Sequence, residues 1–406
     1  MAVYLAIFAI LSKTTYLHGL WVCCTSVILF GCSFPGCLAA GAVPITLRPL
    51  EFMFSDVKTT VTLSLLLSTF AAHAIDISGA GSSAAQPLYV KLADVYGKSQ
   101  NLKLNYQANG SSEGIKQVKA KTVEFGATDI APSQADLKAG KMICFPSAVS
   151  GVVPVVNLPG LKRGEVQLTG ELLADIFSRK ITKWNDPKLT AANPGVALPD
   201  LGISVIARQD GSGTTYNFSD YLSKVSPAWK QAYGRNFTVA WANGVTQVNG
   251  STGAVSALKQ TPGAIAYVDY QYVVQDKLAF TRLKNHDGKV VAPGAEGFTA
   301  ALQNSPWVTQ AKYEEMLTDR VGPSTWPITS GTFIVASQAS SNPEKTIATL
   351  KFFAWGFAHG DAIVGNANFV RLPDSMQGRI FGDLTTITDA SGAPLKWSLS
   401  EALNLR

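Results

Sequence analysis

The chain has 406 residues, 47% hydrophobic and 15% charged, which is an ordinary globular balance and long enough for two domains with their own cores. Its formal charge of +6 is spread thinly with no Lys/Arg run, so the concentrated basic patch of a nucleic-acid or acidic-membrane surface is missing. Cys23, Cys24, Cys32 and Cys37 crowd the N-terminal region and only Cys144 lies beyond, while His286 and His359 are the only histidines in the body. That body cannot form an internal disulfide and offers no Cys-rich metal framework, and a zinc or His-based catalytic site has little to work with.

Two apolar segments come first. Residues 20–30 end in Gly31-Cys32. Residues 53–58 form a short start with one lysine, residues 59–70 an apolar stretch rich in leucine, and Ala72-His73-Ala74 a small-residue cleavage site. Residues 53–74 thus have the layout of a secretory signal peptide, too short and too polar for a spanning helix of ~20 apolar residues. Cleavage after Ala74 is predicted, leaving a mature chain that starts at Ile75. Residues 1–52 read as an upstream extension ahead of Met53. Leu29-Phe30-Gly31-Cys32 loosely matches a lipoprotein processing site, with Phe30 a poor fit, so a membrane anchor through this extension stays open. Either reading exports the protein.

From residue 75 onward strand-like runs alternate with helical ones. A strand at 74–77 precedes a helix at 86–98, a strand at 103–107 precedes a helix at 114–120, and a strand follows at 123–126. This is the rhythm of an open α/β sheet. Two short β-branched runs, 151–157 and 332–336, are read as crossings between lobes, so that the chain leaves the first lobe and later returns to it.

Three glycine–serine turns share one chemistry. Ser78-Gly79-Ala80-Gly81-Ser82-Ser83 and Asn109-Gly110-Ser111-Ser112-Glu113-Gly114 each separate a strand from a helix. Asp210-Gly211-Ser212-Gly213-Thr214-Thr215 follows a strand at 203–207 and precedes a helix at 216–222. Glycine lets a ligand approach the backbone, the hydroxyls donate, and a helix start offers free N–H groups at a positive dipole end. One such turn is an ordinary helix cap. Three of them, with Arg208 just before Asp210, point to helix starts converging on a small oxyanion, for which a planar guanidinium fork is well suited.

Other motifs fail. Gly79-Ala80-Gly81-Ser82-Ser83-Ala84 matches a loose dinucleotide fingerprint, but the next strand ends Tyr106-Gln107-Ala108-Asn109 without the acidic residue that holds a ribose. Gly110-Ser111-Ser112-Glu113-Gly114 fits a nucleophile-elbow pattern, with His359 the only sensible base and no accompanying oxyanion motif. No P-loop is present.

With these turns in view, residues 75–406 resemble the periplasmic phosphate-binding proteins that serve phosphate ABC transporters. The resemblance is carried, in the family's order, by ISGAGSSAAQPLY, NYQANGSSEGIKQVKAKTVEFGATD, FPSAVSGVVPVVNLPGL, ITKWNDP, ARQDGSGTTYNFSDYL, TPGAIAYVDYQY, WPITSGTFIV and LKFFAWGFAHG. It implies an α/β, two-lobed periplasmic-binding-protein fold, each lobe a mixed sheet flanked by helices, joined by hinge strands and closing on phosphate. Lobe I would comprise 75–152 plus 330–406, and lobe II 153–329. The resemblance also implies a phosphate site in which the first lobe supplies Ser83, the N–H of Ala84, Ser111 and Asp129. The second lobe would supply Arg208, Ser212, Gly213 and Thr214, with Asp210 orienting Arg208.

Asp129 is the least expected of these beside an anion. It would accept the hydrogen that phosphate carries and sulfate lacks; the plainer alternative is that it caps the turn at Pro132-Ser133. No catalytic residue, metal or cofactor is implied. The implied partners are inorganic phosphate and ABC permease subunits in the inner membrane, with no nucleic acid, and the implied state is a periplasmic monomer. Two departures stand out: Ser83-Ala84 where the family usually has Thr-Phe, and Glu113 where it has Gly. Both are expected to weaken or slow binding. The competing functions are a secreted or surface phosphate scavenger or adhesin without a permease, and a phosphate-ester hydrolase. The hydrolase lacks a nucleophile–base pair or metal cluster in the sequence.

Overall fold

The computed structural model describes residues 74–405. The extension 1–52, its Leu29-Phe30-Gly31-Cys32 match and the signal segment, apart from Ala74, lie outside the described residues.

Strand β1 (Ile75–Gly81) runs past the predicted 74–77, because Ser78 to Ala80 still pair in parallel with β2 (Leu102–Gln107). Between them α1 (Gln86–Gln100) carries Pro in its first turn and stops at Asn101, which adopts the left-handed conformation at φ 49°. Helix α2 (Ser111–Lys119) begins earlier than the predicted 114–120, directly after Gly110. Strand β3 (Phe125–Thr128) sits two residues beyond the predicted 123–126. Helix α3 (Gln134–Gly140) is capped by Ser133, whose hydroxyl accepts from the Asp136 N–H at 3.1 Å.

Strand β4 (Met142–Val156) is far longer than the predicted 151–157. Pro146, which reads as a strand breaker, is accommodated at a register shift: its partner is Phe333, whereas Ala148 faces Thr332, so Ser147 is the extra residue of a bulge. The second half of the cleft is built by β5 (Ser204–Arg208), α4 (Gly213–Val225), β6 (Thr246–Val248), α5 (Gly250–Gln260), β7 (Ala264–Asp269) and α6 (Tyr270–Gln275). Helix α4 starts three residues before the predicted 216–222, since Ser212 caps it by accepting from the Thr215 N–H at 3.1 Å. The chain returns through β8 (Thr329–Ser337), which contains the predicted 332–336, and α7 (Pro343–His359).

Strand order is β2-β1-β3-β8-β4-β7-β5-β6. Strands β1, β2 and β3 are mutually parallel, as are β5, β6 and β7, and the antiparallel β8 and β4 join the two sets. Strand β4 belongs to both: its residues 142–151 pair with β8 and its residues 152–156 with β7. At the handover a Cβ on Gly151 would lie 2.2 Å from the Phe298 ring, so only glycine fits there. These two sets are the two lobes of the fold, and β4 and β8 are the strands that join them.

Each set has an aromatic core. Tyr89, Tyr106, Phe125 and Phe353 interlock beside β1 and β3, Phe125 and Phe353 edge to face at 5.0 Å. Phe218 stacks on Tyr267 at 4.3 Å beside β5 and β7. Among the described residues no helix is long and apolar enough to cross a membrane.

Candidate functional site

In an open α/β sheet ligands bind beyond the carboxyl ends of parallel strands, where helices begin. Six such ends meet here: β1, β2 and β3 from one set, β5, β6 and β7 from the other. They bring together all nine residues singled out from the sequence, and eight of them are buried or nearly so; Asp210 keeps 13% of its side chain exposed.

On the β1–β3 side, Asp129 follows β3 and is held from two directions. The Ser82 hydroxyl donates to its Oδ1 and Oδ2 at 2.8 and 2.7 Å, and the Ser111 hydroxyl to Oδ2 at 3.4 Å. The Asp129 N–H donates to Ser111 Oγ at 3.2 Å. Asp129 makes no cap of the next turn, since Ser133 does that itself. Ser82 also accepts from the N–H groups of Ala84 and Ala85 at 3.1 and 3.3 Å, which holds the β1–α1 turn closed. The expected donor Ala84 N–H is thus turned onto Ser82.

On the β5–β7 side, Arg208 ends β5 and is 2% exposed. Its Nε donates to Asp210 Oδ1 at 2.6 Å, its Nη2 donates to Asp210 Oδ2, and its Nη1 donates to Ser251 Oγ at 3.2 Å. A guanidinium has five N–H donors, so one on each Nη is left for an anion. Asp210 is braced in turn by the Gly250 N–H at the start of α5, 3.1 Å away. Burial works against ionising Asp210, but the Arg208 fork overrides it and holds this carboxyl below the ordinary range. Tyr267 accepts from the Arg208 N–H at 3.1 Å, so its own hydroxyl is free to donate to Thr215 Oγ1 at 2.7 Å. Ser212 accepts from Thr215 N–H, which leaves its hydroxyl proton available. Thr214 donates to Asp269 Oδ2 at 3.1 Å. Gly213 is a point of close approach between the two sides: a Cβ there would lie 2.5 Å from Ser111 Oγ and 2.7 Å from Asp129 Oδ2.

Hydrogen bonds cross the cleft directly. Ser83 Oγ lies 2.9 Å from Ser251 Oγ and accepts from the Ser251 N–H at 3.1 Å. Tyr272 donates to the Ser83 carbonyl, Gln271 to the Ala84 carbonyl, the Ser112 N–H to the Gly211 carbonyl, and Asn217 to the Asp129 carbonyl. Where the family usually has an aromatic at position 84, the small Ala84 is covered by α6 through Gln271. Glu113, the other departure, pairs with Lys116 at the surface, 3.4 Å away. Among the described residues no group of His, Cys, Asp and Glu is placed to hold a metal ion.

Sequence reading missed Ser82, Ser251, Asp269 and Tyr272. Asn249-Gly250-Ser251-Thr252-Gly253 follows β6 and opens α5, so it is a fourth glycine–serine turn of the kind already recognised three times. Asp269 carried a fainter signal, a carboxylate ending the buried run Ala264–Asp269 as Asp129 follows Phe125–Thr128.

Two parallel sheet halves, joined by shared strands and closing buried oxyanion donors between them, define a substrate-binding protein of the two-lobed type. Residues 68–358 match the family model described as a PBP superfamily domain. The phosphate-binding protein PstS of Xylella fastidiosa strain 9a5c is 42% identical over 302 residues, 74% of this chain and 83% of its own. That of Haemophilus influenzae is 43% identical over 302 residues, 74% of this chain and 90% of its own. The chain belongs to the PstS family of phosphate-binding proteins. A crystal structure of an ancestral soluble variant of the human phosphate-binding protein shares the fold, with a TM-score of 0.63 at 20% identity over 82% of this chain and 98% of that one.

Proposed function

We propose that this protein captures inorganic phosphate between its lobes and delivers it to an ABC-type import permease in the inner membrane. The observation that carries the reading is a buried Arg208, aligned by Asp210, facing across the cleft a carboxylate, Asp129, that accepts hydrogen bonds from hydroxyl groups. A guanidinium attracts any tetrahedral anion; an acceptor-only carboxylate favours one that brings its own hydrogen. In this reading Ser83, Ala84, Ser111 and Asp129 contact phosphate from lobe I, taken as 75–152 plus 330–406. Arg208, Ser212, Gly213 and Thr214 contact it from lobe II, 153–329. The handover of β4 and the pairing of β8 support those boundaries. The chain acts without catalysis, metal or cofactor, as a monomer in the periplasm after cleavage behind Ala74.

Melting the protein with and without phosphate tests the reading. A ligand that binds only the folded form at 100 times its dissociation constant stabilises it by about 2.7 kcal/mol. Phosphate is expected to raise the melting temperature and sulfate at equal concentration to leave it unchanged; coincident curves with phosphate overturn the assignment. Mass spectrometry of the exported chain should find Ile75 as the first residue, and recovery of any peptide from 20–52 would refute the cleavage.

A further inference from the structure

Asp269 has no part in the capture role described above, yet it lies within the same cluster. It ends β7, is 2% exposed, and its Oδ2 accepts from Thr214 Oγ1 at 3.1 Å and from Ser251 Oγ at 3.4 Å. Ser251 Oγ also accepts from Arg208 Nη1 and lies 2.9 Å from Ser83 Oγ. A hydroxyl has one hydrogen. When Ser251 gives its hydrogen to Asp269, the Ser83 hydroxyl is left to donate to Ser251. One ionised carboxylate therefore turns three hydroxyls, those of Thr214, Ser251 and Ser83, away from an incoming anion.

Charge leads to the same place. One guanidinium against three carboxylates, Asp129, Asp210 and Asp269, leaves a formal charge of −2 when all are ionised, in a cleft that is to receive a further anion. Two unit charges 4 Å apart repel by about 4 kcal/mol at an effective dielectric of 20. Asp210 is the carboxylate tied to Arg208 and stays ionised. Asp129 draws two hydroxyls, of which Ser82 has no place among the anion donors. Asp129 thus holds one ligand donor, Ser111, whereas ionised Asp269 holds Thr214 and Ser251 directly and Ser83 through Ser251, so its ionisation competes with the ligand for the most donors.

We propose that Asp269 is a proton-holding, positioning residue of the cleft, taking a proton from solvent as the anion enters and so releasing the hydroxyls of Thr214, Ser251 and Ser83 to it. This rests on the reading that phosphate occupies the cleft. The ionisable groups around Asp269 are Asp129 from the end of β3, Arg208 and Asp210 from the β5–α4 turn, Tyr267 from β7 itself and Tyr272 from α6. Burial first, and then the nearby Asp129, push the Asp269 carboxyl up, while Arg208 and the two hydroxyls pull it back only in part. Tyr267 and Tyr272 are themselves raised by burial and remain neutral hydroxyls.

Calorimetric titration of the wild-type chain with inorganic phosphate, above neutrality in buffers of different ionisation heat, counts the protons taken up per anion. The expected result is an uptake in the wild type that exceeds that of Asp269→Asn by close to one proton, with Asp269→Glu restoring it. By linkage one proton per anion is about a tenfold change in affinity per pH unit, so the affinity of the Asn variant should be flatter with pH by that amount. Equal proton counts in wild type and Asn variant, with phosphate still bound, overturn the role of Asp269 alone. No binding of phosphate by the wild type overturns the proposed function, and this inference with it. Should the Asn variant not fold, carbon-13 carboxyl spectra of the wild type decide the question: the Asp269 carboxyl must gain a proton on addition of phosphate, and an unchanged resonance refutes the proposal.

Discussion

The two sides of the cleft share a backbone plan but not a chemistry. Each is a set of parallel strands whose carboxyl ends run through glycine–serine turns into helices. The β1–β3 side offers hydroxyls and one carboxylate, Asp129, with no cation of its own side hydrogen-bonded to it among the described residues. The β5–β7 side holds the guanidinium, its counter-carboxylate Asp210 and Asp269, backed by the stacked Phe218 and Tyr267. The common plan brings N–H groups to an anion from both directions. In the proposed reading the difference divides the labour: one side attracts the anion, and the other examines it.

Arg208→Ala is the harshest way to break this division. It removes the cation and strands Asp210 in a nearly closed setting, and breaking a buried pair on one side costs ~3–5 kcal/mol. Phosphate affinity by calorimetry is expected to fall at least a hundredfold, and Arg208→Lys to recover little, since one ammonium cannot fork onto Asp210 and the ligand together. Near-native affinity in the Lys variant would show that Arg208 serves only the fold.

Asp129→Asn attacks the examining side. Phosphate should still bind, because the amide oxygen accepts, while the amide NH₂ can rotate to donate to an anion that has no hydrogen. A site built for a hydrogen-bonding partner rejects the analogue lacking it by ~10⁴–10⁵, so sulfate binding is expected to emerge in this variant. Undiminished rejection of sulfate would move discrimination to another residue. The same variant has a pH signature without ligand. Burial raises the Asp129 carboxyl above its unfolded value, against the pull of its hydroxyl partners and Arg208. The folded form therefore binds this proton more tightly than the unfolded form. Its contribution to stability is complete at low pH and lost as pH climbs from the ordinary carboxylate range toward neutrality. Melting temperatures of the wild type should fall relative to Asp129→Asn over that window; parallel curves would contradict the shift.

Ser82→Ala is a smaller perturbation on the same side, leaving Asp129 and two turn N–H groups short of a partner. About 1–3 kcal/mol of stability should be lost in urea unfolding, with sulfate still excluded. Glu113→Gly is the mildest. Its exposed pair with Lys116 contributes ~0–1 kcal/mol, and phosphate affinity should change less than threefold, which tests whether that departure from the family matters at all.

Much of this was legible in the sequence, and the omissions have physical causes. Arg208, Asp210 and the Ser212 cap could be read because their chemistry is local: guanidinium, partner and helix start lie within a few residues. Ser251 and Asp269 could not be read so easily, because their partners, Ser83 and Thr214, are 168 and 55 positions away and only the sheet order brings them close. Of strand β4 only 151–157 was read, because that part is a short β-branched run whereas 142–150 carries mixed polar and apolar residues, and a single sequence does not reveal that a bulge opposite Phe333 accommodates Pro146. Asp129 was named as a site residue from the resemblance, while its main hydroxyl partner, Ser82, was read only as part of the first glycine–serine turn.

The unbroken run of β4 through both sheet sets has a mechanical consequence. A joint made of loop would let the lobes swing about one or two loose dihedrals. Here the Val152 N–H donates to the Ile328 carbonyl at 2.8 Å and the Trp326 indole to the Val152 carbonyl at 2.9 Å, so both backbone groups of Val152 are tied to the segment leading into β8. Relative movement of the lobes is then expected as twist spread along the joining strands β4 and β8, in the manner of a torsion bar. Such a bar resists translation and stores a restoring couple that reopens the jaws once the load is gone. In hydrogen exchange the amide of Val152 should stay slow whether or not phosphate is bound, while those of Ser112 and Ser251, bonded across the gap, should quicken when it is withdrawn.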